Sequence, residues 1–568
     1  MKNWRIILIF VFVIIFGAAI IGRLFDIQVL KHKFYQAQAL GQQVGFSEVR
    51  GYRGEIFFKN SQENKGSYGV GDVKSLAINK DEWTVSAIPS EIEDKEIFSE
   101  LLGEAIGESK EFIFLKIENR DSYTVIKKDL SKIELEKIAE INLAGLSLEN
   151  IPGRYYPQEK MAAQVIGFLG GDGIGQYGIE GYYDSLLKGQ SGIKETKRGL
   201  DLIDFLAPEL DLNGSDIYLT IDYNIQFQAE ALLKEAQNNL GIDSGQIVVL
   251  KPDTGRVLAI ADFPSFDLNF YSKEKDLDIF QNSAVQKLFE PGSIMKPFTM
   301  AMGINEGKIT PDTVYTDYGF VKVGISTIYN FDRKKYGEQT MTGVLEKSIN
   351  TGAVFVSQLV SRETFLDYLV KFGLSDKTGI ELQGEVSSRN NITGPDVEFA
   401  TASFGQGISA TPIQIASGFC AIANGGKLMK PYIVEKIVKG EIETETTPEI
   451  LNEQVISKQT ASQVTTMLTS VVEKGFGSGA KIPGYYLAGK TGTAEVPFKD
   501  KKGYEPNKTI QTFIGFGPAL NPQFLILVKL DNPKVSSSAL SATPVFKKLA
   551  QYIINYWQIP PDYDVNEK

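Results

Sequence analysis

Histidine and cysteine are almost absent from this chain: among 568 residues there is one of each, His32 and Cys420. A Ser-His-Asp triad would have to draw on His32, which lies just after an apolar N-terminal run, and Cys-His catalysis meets the same obstacle. Zinc sites built from several Cys and His are excluded, and one thiol forms no intramolecular disulfide, so cysteine usage is silent about the redox compartment. Positive charge is also in deficit. Against 70 Asp and Glu stand 59 Lys and Arg, a net −11 without a basic cluster, which argues against a nucleic-acid partner. A catalytic base, if there is one, is then Lys, Asp or Glu. With 43% hydrophobic and 23% charged residues the chain has no bias toward disorder, collagen or a polytopic membrane protein, and its length calls for two or three domains.

Long apolar runs are limited to one. No charge occurs from Ile6 to Gly22, 17 residues flanked by Lys2 and Arg5 before and Arg23 after. As a helix it spans roughly 26 Å, enough to cross a bilayer with Trp4, Leu24 and Phe25 at its ends. The run reads as an uncleaved anchor because it continues past the small residues Gly17, Ala18 and Ala19; a cleaved signal peptide is the other reading. Lys2 and Arg5 are nearly balanced by Arg23, Lys31 and Lys33, so charge alone barely orients the span. His32 reads as an interfacial polar residue, and Cys420, inside the apolar run Ile415 to Ala423, as core packing.

Residues 26 to 205 alternate short Val, Ile, Tyr and Phe-rich pieces with glycine clusters, which predicts an irregular, extended, strand-rich region with one helical interlude from Leu130 to Leu143. After Asp211-Leu212-Asn213-Gly214-Ser215 a compact domain is expected. Gln246 to Leu250 and Arg256 to Ile260 flank a Pro- and Gly-bearing turn and form a hairpin. Three later strands are predicted at Lys490 to Val496, Thr512 to Gly517 and Phe524 to Leu530, followed by an amphipathic helix near Pro544 to Tyr556. Strands at both ends with helices between them predict one antiparallel sheet carrying a helical lobe, an α+β domain. The acidic stretch Glu441 to Glu453 reads as a solvated loop.

Without histidine, a hydroxyl nucleophile can still be activated by a lysine kept neutral through desolvation and neighbouring positive charge. Ser293-Ile294-Met295-Lys296 offers that pair on one helix face, entered through Pro291-Gly292, with Pro297 tolerable in the first turn. The four-residue pattern alone is unspecific, since it also begins at Ser185, Ser191, Ser272 and Ser478. Ser293 is set apart by the apolar helical run that follows it. Ser348-Ile349-Asn350 supplies a hydroxyl and an amide two positions apart, beside the apolar stretch Ala353 to Val360. A second such triplet, Ser388-Arg389-Asn390, sits in a polar loop and reads as a cap or turn. Gly489-Lys490-Thr491-Gly492-Thr493 opens a strand: the cation and hydroxyls suit a carboxylate, and glycine lets a substrate backbone approach. Lys377-Thr378-Gly379 is its decoy, read as a surface turn.

Taken in order, Ser293-x-x-Lys296, Ser348-x-Asn350 and Lys490-Thr491-Gly492-Thr493 resemble the signature of the penicillin-binding proteins and serine β-lactamases. Leu219-Thr220-Ile221-Asp222, Phe263 to Asn269, Gly405-Gln406-Gly407, Thr411-Pro412-Ile413-Gln414 and Phe513 to Phe516 resemble the same transpeptidase domain. Arg53-Gly54-Glu55-Ile56, Arg154-Tyr155-Tyr156-Pro157 and Gly178-Ile179-Glu180-Gly181 resemble the pedestal of the class B, monofunctional members. The resemblance implies an α+β protein: a tail and single transmembrane helix at 1–25, an elongated strand-rich pedestal at 26–205, and a transpeptidase domain at 206–558. That last domain would hold a five-stranded antiparallel sheet flanked by helices plus an all-helical lobe, leaving a short tail at 559–568.

The implied reaction is peptidoglycan cross-linking at the outer face of the cytoplasmic membrane, with β-lactams as covalent inhibitors and neither cofactor nor metal. By resemblance Ser293 attacks the D-Ala-D-Ala carbonyl, Lys296 is the acylation base, and Ser348 relays protons to the leaving amine. Asn350 orients the donor amide, Lys490 with Thr491 and Thr493 receives the terminal carboxylate, and the N–H groups of Ser293 and Thr493 form the oxyanion hole. A membrane-embedded glycan polymerase and the elongation or division machinery are the partners the resemblance implies. Two departures stand out. Ile349 replaces the Asp of class A β-lactamases, and Phe57-Phe58-Lys59-Asn60 stands where the family has an Asp-Arg-Asn-Gly-like turn. The acidic motifs of a bifunctional glycosyltransferase are missing between 26 and 205. A D,D-carboxypeptidase or β-lactam-hydrolysing relative, and a non-catalytic sensor or wall-assembly scaffold, are the other readings of the same residues.

Overall fold

The computed structural model describes residues 16–17, 45–59, 74–120, 123–141, 143–196, 212–388, 390, 392–498, 501 and 503–564. Most of the expected anchor lies outside the described residues, as does His32. Among the described residues no helix is long and apolar enough to cross a membrane. The chain divides into two compact units, residues 1–53 with 188–214 and residues 54–187 with 215–568. In the smaller, Gly45–Arg50 and Ser191–Thr196 pair as an antiparallel ribbon.

Among the described residues the larger unit holds two large sheets and four two-stranded ribbons. The first has seven strands, in the spatial order Ile442–Glu445, Val434–Lys439, Asp216–Asp222, Ile56–Lys59, Ser75–Ala87 and Thr124–Lys127, with Leu146–Tyr155 also paired to Ser75–Ala87. Early and late chain segments thus share one hydrogen-bonded sheet, joined by the parallel pairing of Ile56–Lys59 with Asp216–Asp222. Where the family has its polar turn, Phe57 and Phe58 are strand residues: Phe58 is buried, and the Phe57 ring stacks on Tyr218 at 4.9 Å.

The region expected to be strand-rich carries more helix than its glycine clusters suggest. Lys95–Ile106 is capped by the Asp94 carboxylate and ends on left-handed Gly107; Lys110–Ile117 is capped by Ser109. These caps start helices that lay Phe98, Leu102, Ile106, Ile113 and Ile117 over Val85, Ala87 and Ile126. The helical interlude contracts to Lys132–Ala139, opened by a Ser131–Glu134 capping box. Its apolar stripe is thin, with Ile138 buried and Ile133 exposed.

Three separated motifs of this region meet at one buried ion pair. Arg154 Nε donates to Glu180 Oε1 at 2.7 Å, the two side chains being 3% and 0% exposed. Arg154 Nη1 donates to the Gly54 carbonyl at 2.9 Å. Gly54 is required there because a Cβ would lie 1.8 Å from the Ser215 carbonyl oxygen.

The second sheet runs Val257–Phe263, Ser244–Leu250, Phe524–Asp531, Tyr504–Gly517, Ala488–Pro497, antiparallel throughout. All five expected strands are present and longer than their apolar cores. Leu232 and Leu233 of Tyr223–Leu240 and Phe546, Leu549 and Ile553 of Ala542–Tyr556 share one core with inward residues of this sheet. A second core takes in Lys296–Asn305, Pro412–Ala423 and Lys458–Lys474 and includes buried Cys420. The outer edge is closed by a side chain: Gln226 accepts from Ile260 N–H at 3.0 Å and donates to Ile260 C=O at 2.8 Å. The acidic stretch Glu441 to Glu453 is solvated as expected but is not a plain loop, for Ile442–Glu445 and Ile450–Asn452 are exposed strands.

Removing one member of the buried pair should be far costlier than removing both. Glu180→Ala is expected to lose roughly 3–5 kcal/mol in urea unfolding, and Arg154→Met with Glu180→Leu much less, because the single change strands an unpaired charge. Equal losses for the two variants would refute this account.

Candidate active site

The turn carrying Ser293 is shaped by glycine contacts before any chemistry enters. Gly292–Met295 forms a 3-10 turn leading into Lys296–Asn305, with Pro297 in the first helical turn, where a missing N–H is harmless. Gly292 is left-handed, at φ +57, and donates its N–H to the Gly405 carbonyl at 3.0 Å. A Cβ on Gly405 would fall 2.2 Å from the Gly292 carbonyl oxygen, so the Gly405-Gln406-Gly407 backbone fits against this turn only without a side chain. Glu290 ties the same parts together, accepting from Gly407 N–H at 3.1 Å and from the Tyr504 hydroxyl at 3.2 Å.

Lys296 is fully buried, and its Nζ meets four neutral oxygens: Ser293 Oγ at 3.0 Å, Ser348 O at 2.6 Å, Ser348 Oγ at 3.2 Å and Asn350 Oδ1 at 2.8 Å. Lys490, also fully buried, reaches Ser348 Oγ at 2.9 Å and the Thr491 carbonyl at 3.0 Å. Two amines therefore flank one hydroxyl with no carboxylate among these contacts. Burial, and then the Lys490 charge, hold the Lys296 ammonium well below the usual lysine range. Burial lowers Lys490 to about 7. A neutral Lys296 keeps a lone pair that can accept the Ser293 proton, as a general base must. Ser348 is placed for this contact by a left-handed backbone, φ +54, an uncommon conformation for serine and one found where function requires it. Asn350 opens the helix Asn350–Leu359, and its Nδ2 donates to the Tyr329 carbonyl at 3.1 Å, which turns Oδ1 toward Lys296.

The Ala488–Pro497 strand is an edge of the five-stranded sheet, with Tyr504–Gly517 as its one strand partner among the described residues. Gly492 lets it lie on the Ser293 turn: a Cβ there would sit 2.2 Å from Thr512 Oγ1 and 2.9 Å from Ile294 Cγ2. Ser293, Ser348, Asn350, Thr491 and Thr493 line a cleft of about 320 Å³ beside this edge, with Phe331 among its apolar walls. The motif residues chosen from sequence thus converge: Ser293, Lys296, Ser348, Asn350, Lys490 and Thr491 by direct contact, Gly492 at the strand crossing and Thr493 on the cleft wall.

The decoys lie elsewhere. Ser272 is exposed, and Lys481, the partner of Ser478, pairs with Glu473. Asn390 is a loop tie, donating to Leu374 O at 2.8 Å and Ser409 O at 2.9 Å. Thr378 is not on a surface turn as expected but buried, its N–H and hydroxyl donating to Glu385 at 2.7 and 2.6 Å. Sequence reading passed over Asp317, Asn330 and Thr351, buried polar residues behind Asn350. The available signal was the alternation of Val314–Asp317, which puts Asp317 on the inward side with Tyr315.

The buried lysines set a pH dependence. Each binds its proton more weakly folded than in the unfolded chain, whose ordinary value is 10.5, so stability rises with pH between the two, from about 7 upward for Lys490. We expect the stability difference between Lys490→Met and wild type to change by up to about 1.4 kcal/mol per pH unit between about pH 7.5 and 9.5 in urea titrations, wild type gaining. Parallel curves would mean that Lys490 stays charged.

Residues 245–551 match the penicillin binding protein transpeptidase domain and residues 51–219 the penicillin-binding protein dimerisation domain. Stage V sporulation protein D of Bacillus subtilis is 34% identical over 500 residues, covering 85% of this chain and 74% of that protein. The probable peptidoglycan D,D-transpeptidase PenA of Neisseria meningitidis is 28% identical over 573 residues, 99% of this chain and 94% of its own. The crystal structure of penicillin binding protein 3 from Mycobacterium tuberculosis complexed with aztreonam superposes with a TM-score of 0.69 at 28% identity, covering 91% of this chain and 99% of that one. With the dimerisation domain ahead of the transpeptidase domain and the serine–lysine cleft in the latter, the chain belongs to the class B penicillin-binding proteins.

Proposed function

We propose that this protein is a peptidoglycan D,D-transpeptidase working through a Ser293 acyl-enzyme. The observation that carries the reading is the contact series Ser293 Oγ, Lys296 Nζ, Ser348 Oγ, Lys490 Nζ, each step 3.2 Å or less. Lys296 takes the Ser293 proton as the hydroxyl attacks the D-Ala-D-Ala carbonyl, and Ser348 passes a proton to the leaving nitrogen of the terminal D-Ala. The N–H groups of Ser293 and Thr493 stabilise the tetrahedral oxyanion. An amine of a second stem peptide then attacks the acyl-enzyme and completes the cross-link. The donor's terminal carboxylate supplies a counter-charge that is missing from the contacts of the two lysines, which favours the protonated form of Lys490 in the complex. Thr491 and Thr493 add hydroxyl donors, and Gly492 lets the donor backbone lie along the strand edge. β-Lactams acylate the same serine as mimics of the donor terminus.

The reading extends to the rest of the chain. A membrane anchor within residues 1–25 would tether a pedestal at 26–205 and a transpeptidase domain at 206–558 on the outer side of the cytoplasmic membrane, with 559–568 as a tail. A membrane-embedded glycan polymerase of the elongation or division machinery suits such an enzyme as its partner.

Incubation of the full chain with a fluorescent penicillin, read by intact mass, tests the nucleophile. Wild type and Ser272→Ala are expected to take the label and Ser293→Ala to take none, while Lys296→Ala slows acylation by about 10²- to 10⁴-fold. Label on another serine, or none on folded wild type, would overturn the assignment. Exchange of a free D-amino acid into a stem-peptide mimic is the expected outcome for transfer; hydrolysis alone would point to a carboxypeptidase.

A further inference from the structure

Asp317 is a carboxylate fully buried with no ion pair among the described residues. Four donors satisfy it instead. Its Oδ1 accepts from Gly319 N–H at 2.9 Å and from the Thr351 hydroxyl at 2.7 Å. Its Oδ2 accepts from Tyr336 N–H at 2.7 Å, and Asn330 Nδ2 bridges both oxygens at 3.1 and 3.0 Å. Asn330 in turn accepts from Thr351 N–H at 3.2 Å and donates to the Lys334 carbonyl at 3.0 Å. Burying a carboxylate without a cation is costly, and a full set of donors is what makes it tolerable.

The place of this network gives it a consequence. Asn330 follows Tyr329, whose carbonyl accepts from Asn350 Nδ2 at 3.1 Å, and Thr351 follows Asn350 itself. Asp317 thus grips the residue next to each partner of the bond that orients the Asn350 amide. A turned amide would lose the bond that Lys296 donates to Oδ1 and would set its oxygen against the Tyr329 carbonyl, a repulsive contact in place of an attractive one. We infer that Asp317 is a positioning residue, holding the Asn350 amide with its oxygen on Lys296 through Asn330 and Thr351. It touches neither the nucleophile nor the lysines, and its effect on the reaction passes through Asn350. The inference rests on the acyl-enzyme reading of Ser293 only in its kinetic arm.

The test is a double-mutant cycle on the full chain, following the rate of labelling by a fluorescent penicillin in wild type, Asp317→Asn, Asn350→Ala and the double variant. Asp317→Asn puts an amide nitrogen against donors, and we expect labelling to slow roughly tenfold. In the Asn350→Ala background the same change should cost less than about twofold, since its route is already cut. Additive losses, or labelling of Asp317→Asn at the wild-type rate, would overturn the inference. If Asp317→Asn does not fold, Thr351→Val, which deletes one donor and keeps the shape, takes its place in the cycle. Crystal structures decide the geometry whether or not penicillin reacts: an Asn350 amide displaced from Tyr329 O in the variant supports the inference, and an unmoved one refutes it. A wild type that is not labelled counts against the acyl-enzyme reading alone.

Discussion

Two buried amines facing one serine hydroxyl, without a carboxylate between them, are the constraint around which this cleft is built. A carboxylate within reach of Lys296 would hold it as an ammonium and leave it no lone pair to accept a proton. Lys296 is surrounded instead by the Ser293 and Ser348 hydroxyls, the Ser348 carbonyl and the Asn350 amide oxygen. These satisfy its hydrogens without adding charge. Lys490 on the far side of Ser348 makes a second ammonium unwelcome.

Such an arrangement is unstable by itself, so the scaffold fixes each piece from behind. Glycines do this by omission: Gly405 and Gly492 let the loop before the Pro412–Ala423 helix and the edge strand close on the Ser293 turn, where any Cβ would collide. Side chains do it by hydrogen bonds. Glu290 pins the turn to Gly407 and Tyr504, and the Asp317 network stands behind Asn350. The backbone strain at Ser348 persists because Lys296 and the adjoining helix both hold that residue in place.

The early part of the chain follows a different logic. Its motifs converge on Arg154 and Glu180, an ion pair removed from water and completed by the Gly54 carbonyl. Through the pairing of Ile56–Lys59 with Asp216–Asp222, this region and the catalytic region share a sheet within one compact unit. Division of the chain by composition alone therefore cuts through a continuous set of backbone hydrogen bonds.

Much of the site was legible because its chemistry restricts residue types. With one histidine and one cysteine, few nucleophile and base combinations remained, and the order of the three motifs singled out Ser293, Ser348 and Lys490 from their decoys. The five strands of the second sheet were legible from apolar runs and turn residues. The helices Lys95–Ile106 and Lys110–Ile117 were not, although Asp94 and Ser109 cap them. Nor was the burial of Thr378, which depends on Glu385 folding back onto it. Sequence by itself determined which groups can do the chemistry, because composition and local spacing are properties of the chain. Tertiary structure alone decided that both lysines lie out of water, that Ser348 stands between them, and that Asp317 backs Asn350. Burial and mutual distance are set by segments far apart in sequence, and no local pattern records them.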